Sequence, residues 1–243
     1  MVQLADALGS CKTLSTLYIS DDRLGLYGSK NLADILQKTN LKTLKLYRVE
    51  IGEHEANVLV DAVSKNSTLT SLELHDNQLK KNVALKLIQI LNSNTGLKKF
   101  GISSNELEEE AGKELANTLL TNTALISLGL SSNQLGSEGV KAIALSLNIN
   151  KNLTDLDLYS NKIGYDGVKA LADTLCNNTS LASLNLGCNG ICSEGIKALA
   201  DALSKNSTLT SFDLRDNEIN TEGVIELENS RYKNNTLISL NIN

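Results

Sequence analysis

The chain has 243 residues, no proline, no tryptophan and only two phenylalanines. One thick core of that size would use more aromatics, so a thin leucine layer repeated along the chain is expected. A net charge of −5 and a pI near 5.2 exclude the basic footprint of a nucleic-acid binder. No apolar run approaches the ~18 residues of a membrane span. The opening MVQLADALGS lacks the basic and long apolar regions of a secretory signal. The four cysteines, Cys11, Cys176, Cys188 and Cys192, are therefore expected as reduced thiols, and the cytoplasm as the location.

In chain order, LADAL (Leu4–Leu8) recurs at Leu199–Leu203, so the chain is expected to begin inside a helix. Leu14 opens the first strand. One step of 27 and then steps of 28 lead to Leu41, Leu69, Leu97, Leu125, Leu153, Leu181, Leu209 and Leu237. Three residues after each stand Leu17, Leu44, Leu72, Phe100, Leu128, Leu156, Leu184, Phe212 and Leu240. Five after come Ile19, Leu46, Leu74, Ile102, Leu130, Leu158, Leu186, Leu214 and Ile242. This alternation predicts a short strand per repeat with these residues inward. Eight after come Asp22 and Val49, then Asn77, Asn105, Asn133, Asn161, Asn189 and Asn217.

The second half of each unit has helical spacing. GVKALADTL (Gly167–Leu175) and GIKALADAL (Gly195–Leu203) gather their apolar residues on one face. Glu138, Asp166, Glu194 and Glu222 fall at helix starts, where acid suits the dipole. Lys141, Lys169 and Lys197, three residues later, are expected to pair with the acid before them at ~0.2–0.5 kcal/mol per pair. Helix ends carry Asn66, Asn94, Asn122, Asn150, Asn178, Asn206 and Asn234, each expected to take the positive φ common after a helix. SKNSTLTS, found at Ser64–Ser71 and again at Ser204–Ser211, is thus the joint between a helix and the next strand. The last helix has Arg231 where Leu36, Leu91, Leu119, Leu147, Leu175 and Leu203 stand. The chain stops at LISLNIN, inside a strand. Both ends are therefore expected to be cut, with Leu237–Asn243 an uncovered edge. A monomer, or a weak homodimer through that edge, is expected.

Strands stack about 4.8 Å apart and helices are about 10 Å wide. One helix per strand must bend the stack into an open arc, with a concave parallel sheet and convex helices. The chain is expected to be a single α/β domain over 1–243, of about eight full repeats with partial repeats at both ends.

LxxLxLxxNxL followed by GxxxLAxxLxxN, at a 28-residue period, resembles the leucine-rich repeats of the ribonuclease-inhibitor type. Such units are also found in NOD-like immune receptors, Ran GTPase-activating proteins and bacterial effectors. The resemblance implies a right-handed horseshoe solenoid. It also implies that Asn77, Asn105, Asn133, Asn161, Asn189 and Asn217 form a hydrogen-bonded ladder between turns. Val49 cannot join that ladder and Asp22 can only accept, so the first two repeats are expected to be the looser end. The resemblance further implies a non-enzymatic module that binds a protein partner, as part of a larger receptor or scaffold, or as an effector in a host-cell cytosol. The alternatives are a GTPase-activating protein, for which Arg23 is the loop arginine to consider, and a structural solenoid joined through its strand edge.

No catalytic set is evident. His54 falls near a helix start and His75 on the concave sheet, each without a catalytic partner, and HExxH, GxSxG and phosphate-loop motifs are lacking. Cys176, Cys188 and Cys192 share one repeat but have no nearby histidine to complete a zinc site. No metal or cofactor is expected. The N-x-S/T sequons at Asn66, Asn178 and Asn206 follow from the repeat's own spelling. Partner-binding candidates are the outward strand residues Tyr18, Lys45, Tyr47, Arg48, Glu73, His75, Asp76, Asp155, Asp157, Tyr159, Asn185, Asp213, Arg215 and Asp216. Between them lies a Gly/Ser stretch, including Gly101 and Gly129, that leaves room for close backbone approach.

Overall fold

The computed structural model describes residue 11 and residues 13–242, so the first LADAL string, at 4–8, and Asn243 lie outside the described residues. The chain divides into two compact units, Met1–Glu106 and Leu107–Asn243. The first contains β1 (Thr16–Ser20), α1 (Gly25–Lys38), β2 (Thr43–Tyr47), α2 (Glu53–Lys65), β3 (Ser71–His75), α3 (Lys81–Ile88), α4 (Ile90–Ser93) and β4 (Lys99–Gly101). The second contains α5 (Glu108–Thr121), β5 (Ser127–Gly129), α6 (Gly136–Leu147), β6 (Asp155–Asp157), α7 (Gly164–Leu175), β7 (Ser183–Asn185), α8 (Ser193–Leu203), β8 (Ser211–Asp213), α9 (Thr221–Lys233) and β9 (Ser239–Asn241). Among the described residues no helix is long and apolar enough to cross a membrane.

Within each unit, consecutive strands pair in parallel. Leu17, Leu44, Leu72 and Phe100 align across the first sheet, and Leu128, Leu156, Leu184, Phe212 and Leu240 across the second. These side chains point toward the helices. Leu44, Phe100 and Phe212 are fully buried, whereas Leu17 and Leu240 are half-buried. Each buried leucine withdraws apolar surface worth about 1.5–3 kcal/mol. The helices close the layer with residues four apart, such as Leu32 and Leu36 in α1 and Leu171 and Leu175 in α7. Helix α9 buries only Gly223, Leu227 and Ser230. Its Arg231 is exposed and lies 3.8 Å from Glu228.

Asparagine side chains tie one turn to the next. In the first unit Asn77 Oδ1 accepts from the Val49 N–H (2.8 Å) and Asn105 Oδ1 from the Asn77 N–H (2.8 Å). In the second, Asn161 accepts from the Asn133 N–H (3.2 Å), Asn189 from the Asn161 N–H (2.7 Å) and Asn217 from the Asn189 N–H (3.0 Å). Their Nδ2 groups donate to carbonyls one repeat back, as from Asn105 to Leu74 (2.7 Å) and from Asn161 to Leu130 (2.9 Å). Val49 fills the slot as an apolar plug with no exposed surface, and its backbone still donates to Asn77. The second repeat is therefore packed rather than loose. Asp22, in contrast, is exposed and accepts from its neighbour Arg23 N–H at 2.7 Å.

The helix-end asparagines do not take positive φ. Asn66, Asn94, Asn122 and Asn234 have φ of −86, −92, −73 and −85°. Instead they form a second set of ties. Asn66 Oδ1 accepts from the N–H groups of Thr68 (2.9 Å) and Leu69 (2.7 Å), while its Nδ2 donates to Leu36 O (2.6 Å), a carbonyl in the last turn of the previous helix. Asn206 does the same with Thr208, Leu209 and Leu175. Three hydrogen bonds, each worth about 0.5–1.5 kcal/mol net, outweigh the local αL preference of asparagine. Positive φ falls elsewhere, in the turn after each strand: Asp21, Arg48, Asp76 and Ser104 in the first unit, and Ser132, Ser160, Cys188 and Asp216 in the second.

The acids expected at helix starts lie in the first turns of α6 to α9. Lys141 reaches Glu138 at 3.6 Å, but Lys169 pairs with Asp173 rather than Asp166. Asp173 lies one turn ahead of Lys169 on the same helix face, within reach of its side chain.

Candidate interaction surfaces on the outward strand faces

Strands β1 to β3 are longer than β4 to β9, and in β6 to β8 the residue four positions after the first leucine takes part in the strand's end. Where it is Tyr18, Lys45 or Glu73, the strand runs five residues. Where it is Asp157, Asn185 or Asp213, the strand stops after three. There the side-chain oxygen accepts from the N–H two residues on: Asp157 from Tyr159, Asn185 from Gly187 and Asp213 from Arg215, each at 3.0 Å. Asp and Asn turn a chain in this way. These three partner-binding candidates thus already serve as strand-end caps.

On the first sheet, Glu73 is unexpectedly buried, with its side chain 9% exposed. Lys45 and Lys99, from the strands on either side, reach Oε1 at 3.3 and 3.1 Å, and His75 Nε2 lies 3.1 Å from Oε2. Burial alone would raise the Glu73 carboxyl pKa. Hydrogen bonds from His75 and Lys99 and the ammonium charges of Lys99 and Lys45 overcome that and hold it at about 2. His75 Nδ1 accepts from the Ser103 N–H at 3.3 Å, so the other ring nitrogen carries the hydrogen given to Glu73. The imidazole occupies the space a side chain at Gly101 would need, 2.8 Å from His75 Cε1. Gly101 is therefore a seat for His75 rather than a bare patch open to a partner.

Beside this cluster, Arg48 lies 4.6 Å above the Tyr47 ring. Its Nε donates to Asp76 at 2.7 Å and its Nη1 to Asp21 at 3.4 Å. Two flanking repeats thus hold one guanidinium against one aromatic face, an arrangement that lowers the entropy lost on meeting a partner. Tyr18 stands on β1 with 58% of its surface exposed. Arg23 pairs with Glu50 at 2.9 Å, and His54 is the second residue of α2.

On the second sheet, Arg215 grips Asp213 through Nε (3.0 Å) and Nη2 (2.6 Å). Burial works against the Asp213 charge, but hydrogen bonds and charge from Arg215 keep its pKa low. The Tyr159 ring covers Gly187, where an added Cβ would meet Cδ2 at 2.8 Å. A hydrogen bond to Cys188, then the charge of that sulfur, raise the Tyr159 pKa. Asp155 and Asp216 are exposed. The four cysteines are free, and among the described residues no group of three or more His, Cys, Asp or Glu is placed to hold a metal ion.

A leucine-rich repeat family model matches residues 121–144, 150–172, 177–200 and 205–227, all in the second unit. No curated protein matches the sequence. Among solved structures, the LegL7 leucine-rich repeat-containing protein of Legionella pneumophila aligns over 93% of this chain and 74% of its own, with a TM-score of 0.64 and 20% identity. The leiomodin-1 actin-binding site 2 aligns over 63% of this chain and 88% of its own (TM-score 0.55, 22% identity). The tropomodulin C-terminal domain of Caenorhabditis elegans aligns over 62% and 92% (TM-score 0.54, 15% identity). The four matched segments thus carry leucine-rich repeats, and the fold is like that of leucine-rich repeat proteins, an α/β solenoid. Repeats of this kind indicate a protein-interaction module.

Proposed function

We propose that the protein is a non-enzymatic cytosolic binding module that takes a protein partner on the outward face of its strands. The Arg48–Tyr47 stack, anchored by Asp21 and Asp76, carries this reading. Arginine and tyrosine dominate binding hot spots when held rigidly, and here the holding groups come from the protein itself. The second sheet adds Tyr159 and Arg215. Its face carries Asp155, Asp157, Asp213 and Asp216 against the single Arg215, so the segment that meets it is basic.

The test is quantitative capture from a cell lysate by native protein, by a Tyr47→Ala/Arg48→Ala double variant and by a Lys141→Ala control on a helix. A partner retained by native and control protein should weaken about tenfold or more with the double variant. Equal recovery by all three would count against the face. Partners of the second sheet should lose affinity as salt rises.

Arg23, with its side chain 82% exposed, keeps the GTPase-activating alternative open to assay. Accelerated GTP hydrolysis by a small GTPase, abolished in Arg23→Ala, would replace the binding reading. Self-association through β9 is read by light scattering, where a monomer at high concentration excludes it.

A further inference from the structure

The ladder has one position of different chemistry. Asn189 is the sole asparagine followed by glycine in the sequence. Its side chain is clamped: Oδ1 accepts from the Asn161 N–H at 2.7 Å, and Nδ2 reaches the carbonyls of Leu158 (3.0 Å), Leu186 (2.9 Å) and Gly187 (3.0 Å). Only 6% of the residue is exposed. Gly190 is the opposite. It is exposed, sits at φ +62°, and has open space around its Cα. Its N–H makes no hydrogen bond among the described residues. A buried side-chain amide thus stands one residue before an exposed, unhindered glycine, whose backbone nitrogen can close a five-membered ring on Asn189 Cγ.

We propose that Asn189–Gly190 is a spontaneous modification site, at which the ladder amide is converted to a carboxylate by water. Base removes the Gly190 amide proton. The nitrogen then adds to Cγ of Asn189, the Cγ–Nδ2 bond breaks, and ammonia leaves with a proton from solvent. The product is a five-membered succinimide. Water adds to one of its two carbonyls and opens the ring to aspartate or isoaspartate, so water is consumed, ammonia is released and nothing is oxidised. Asparagine is a labile residue in general. Here the side chain must leave its carbonyl partners before it can react, so the rate reports opening of this repeat. The carboxylate that replaces the amide has no N–H to give. It faces three carbonyl oxygens across a buried gap, an arrangement that weakens the repeat.

The experiment incubates the full chain in mildly alkaline buffer, folded and in urea, and follows the one-dalton mass gain at each asparagine by tandem mass spectrometry. A Gly190→Gln variant is run in parallel. Gln78 and Gln134 hold the equivalent place at φ +50° and +56°, so this variant keeps a backbone the fold already uses. In urea, Asn189 should convert more than about tenfold faster than Asn133 or Asn161, and folding should slow it by a similar factor. Gly190→Gln should remove the excess. Conversion of Asn189 no faster than Asn133 in urea, or unchanged by Gly190→Gln, would overturn the site. Equal rates folded and unfolded would overturn the clamp. Asn189→Asp, which mimics the product, should have a lower urea midpoint than the parent, and an equal midpoint would refute the structural consequence.

Discussion

Glu73 occupies an outward strand position yet keeps a buried charge, because the neighbouring strands place Lys45 and Lys99 beside it and His75 folds back onto it. Its folded pKa of about 2 lies below the ~4.3 of a free glutamate. Its stabilisation is therefore complete above about pH 4.3 and is lost as pH falls toward 2, with a size on the order of a few kcal/mol. Urea midpoints measured down that range should fall less steeply for Glu73→Gln than for the parent; parallel curves would refute the assignment. Asn161 makes a different demand. It is fully buried, and Asn161→Ala would remove the side-chain acceptor of the Asn133 and Leu135 N–H groups, while the Leu130 carbonyl keeps Asn133 Nδ2. Each orphaned group costs about 1–3 kcal/mol, so a loss of about 2–4 kcal/mol is expected from the urea midpoint. The positions of these asparagines were readable as a period. The pairing of Glu73 was not, because face residues carry no period and their partners lie a full repeat away.

At the scale of elements, the strands and helices followed from the 28-residue pattern because every turn must solve the same burial problem. In β6, β7 and β8 a single side chain caps the end of the strand. Removing the Asp157 cap with Asp157→Val should speed hydrogen exchange at the Tyr159 amide, whose N–H it accepts; unchanged exchange would show that the cap is idle. Helix contact is equally local. A Cβ on Gly112 in α5 would lie 2.8 Å from Gly139 Cα in α6, which is backbone and cannot swing away. Alanine in place of a helical glycine would gain about 1 kcal/mol in propensity, but overpacking costs about 1–3 kcal/mol. Gly112→Ala should therefore be neutral to destabilised by about 2 kcal/mol, where propensity alone predicts a gain in thermal midpoint. The helix-end asparagines show how a local preference loses. Read by themselves they suit αL; beside the preceding helix they find a carbonyl acceptor, and the backbone stays extended to reach it.

For the molecule as a whole, we propose that residues 1–243 behave as one domain. A single urea transition, coincident by circular dichroism and tyrosine fluorescence, is the expected outcome, and two separated transitions would refute it. Within that transition Leu156→Ala, at a site 2% exposed, should cost about 2–5 kcal/mol. The sequence by itself determined the repeat, the strand register, the inward leucines and hence the α/β solenoid. Those depend on apolar burial, which recurs identically in each turn and so leaves a visible period. Only the tertiary structure decided which outward residues are already engaged. It made Asp157, Asn185 and Asp213 strand caps, seated His75 over Gly101, clamped Asn189 beside an exposed Gly190, and drew Asp21, Arg48 and Asp76 together. Those arrangements rest on directional hydrogen bonds and charges between residues a turn apart, and one-dimensional spacing does not record direction.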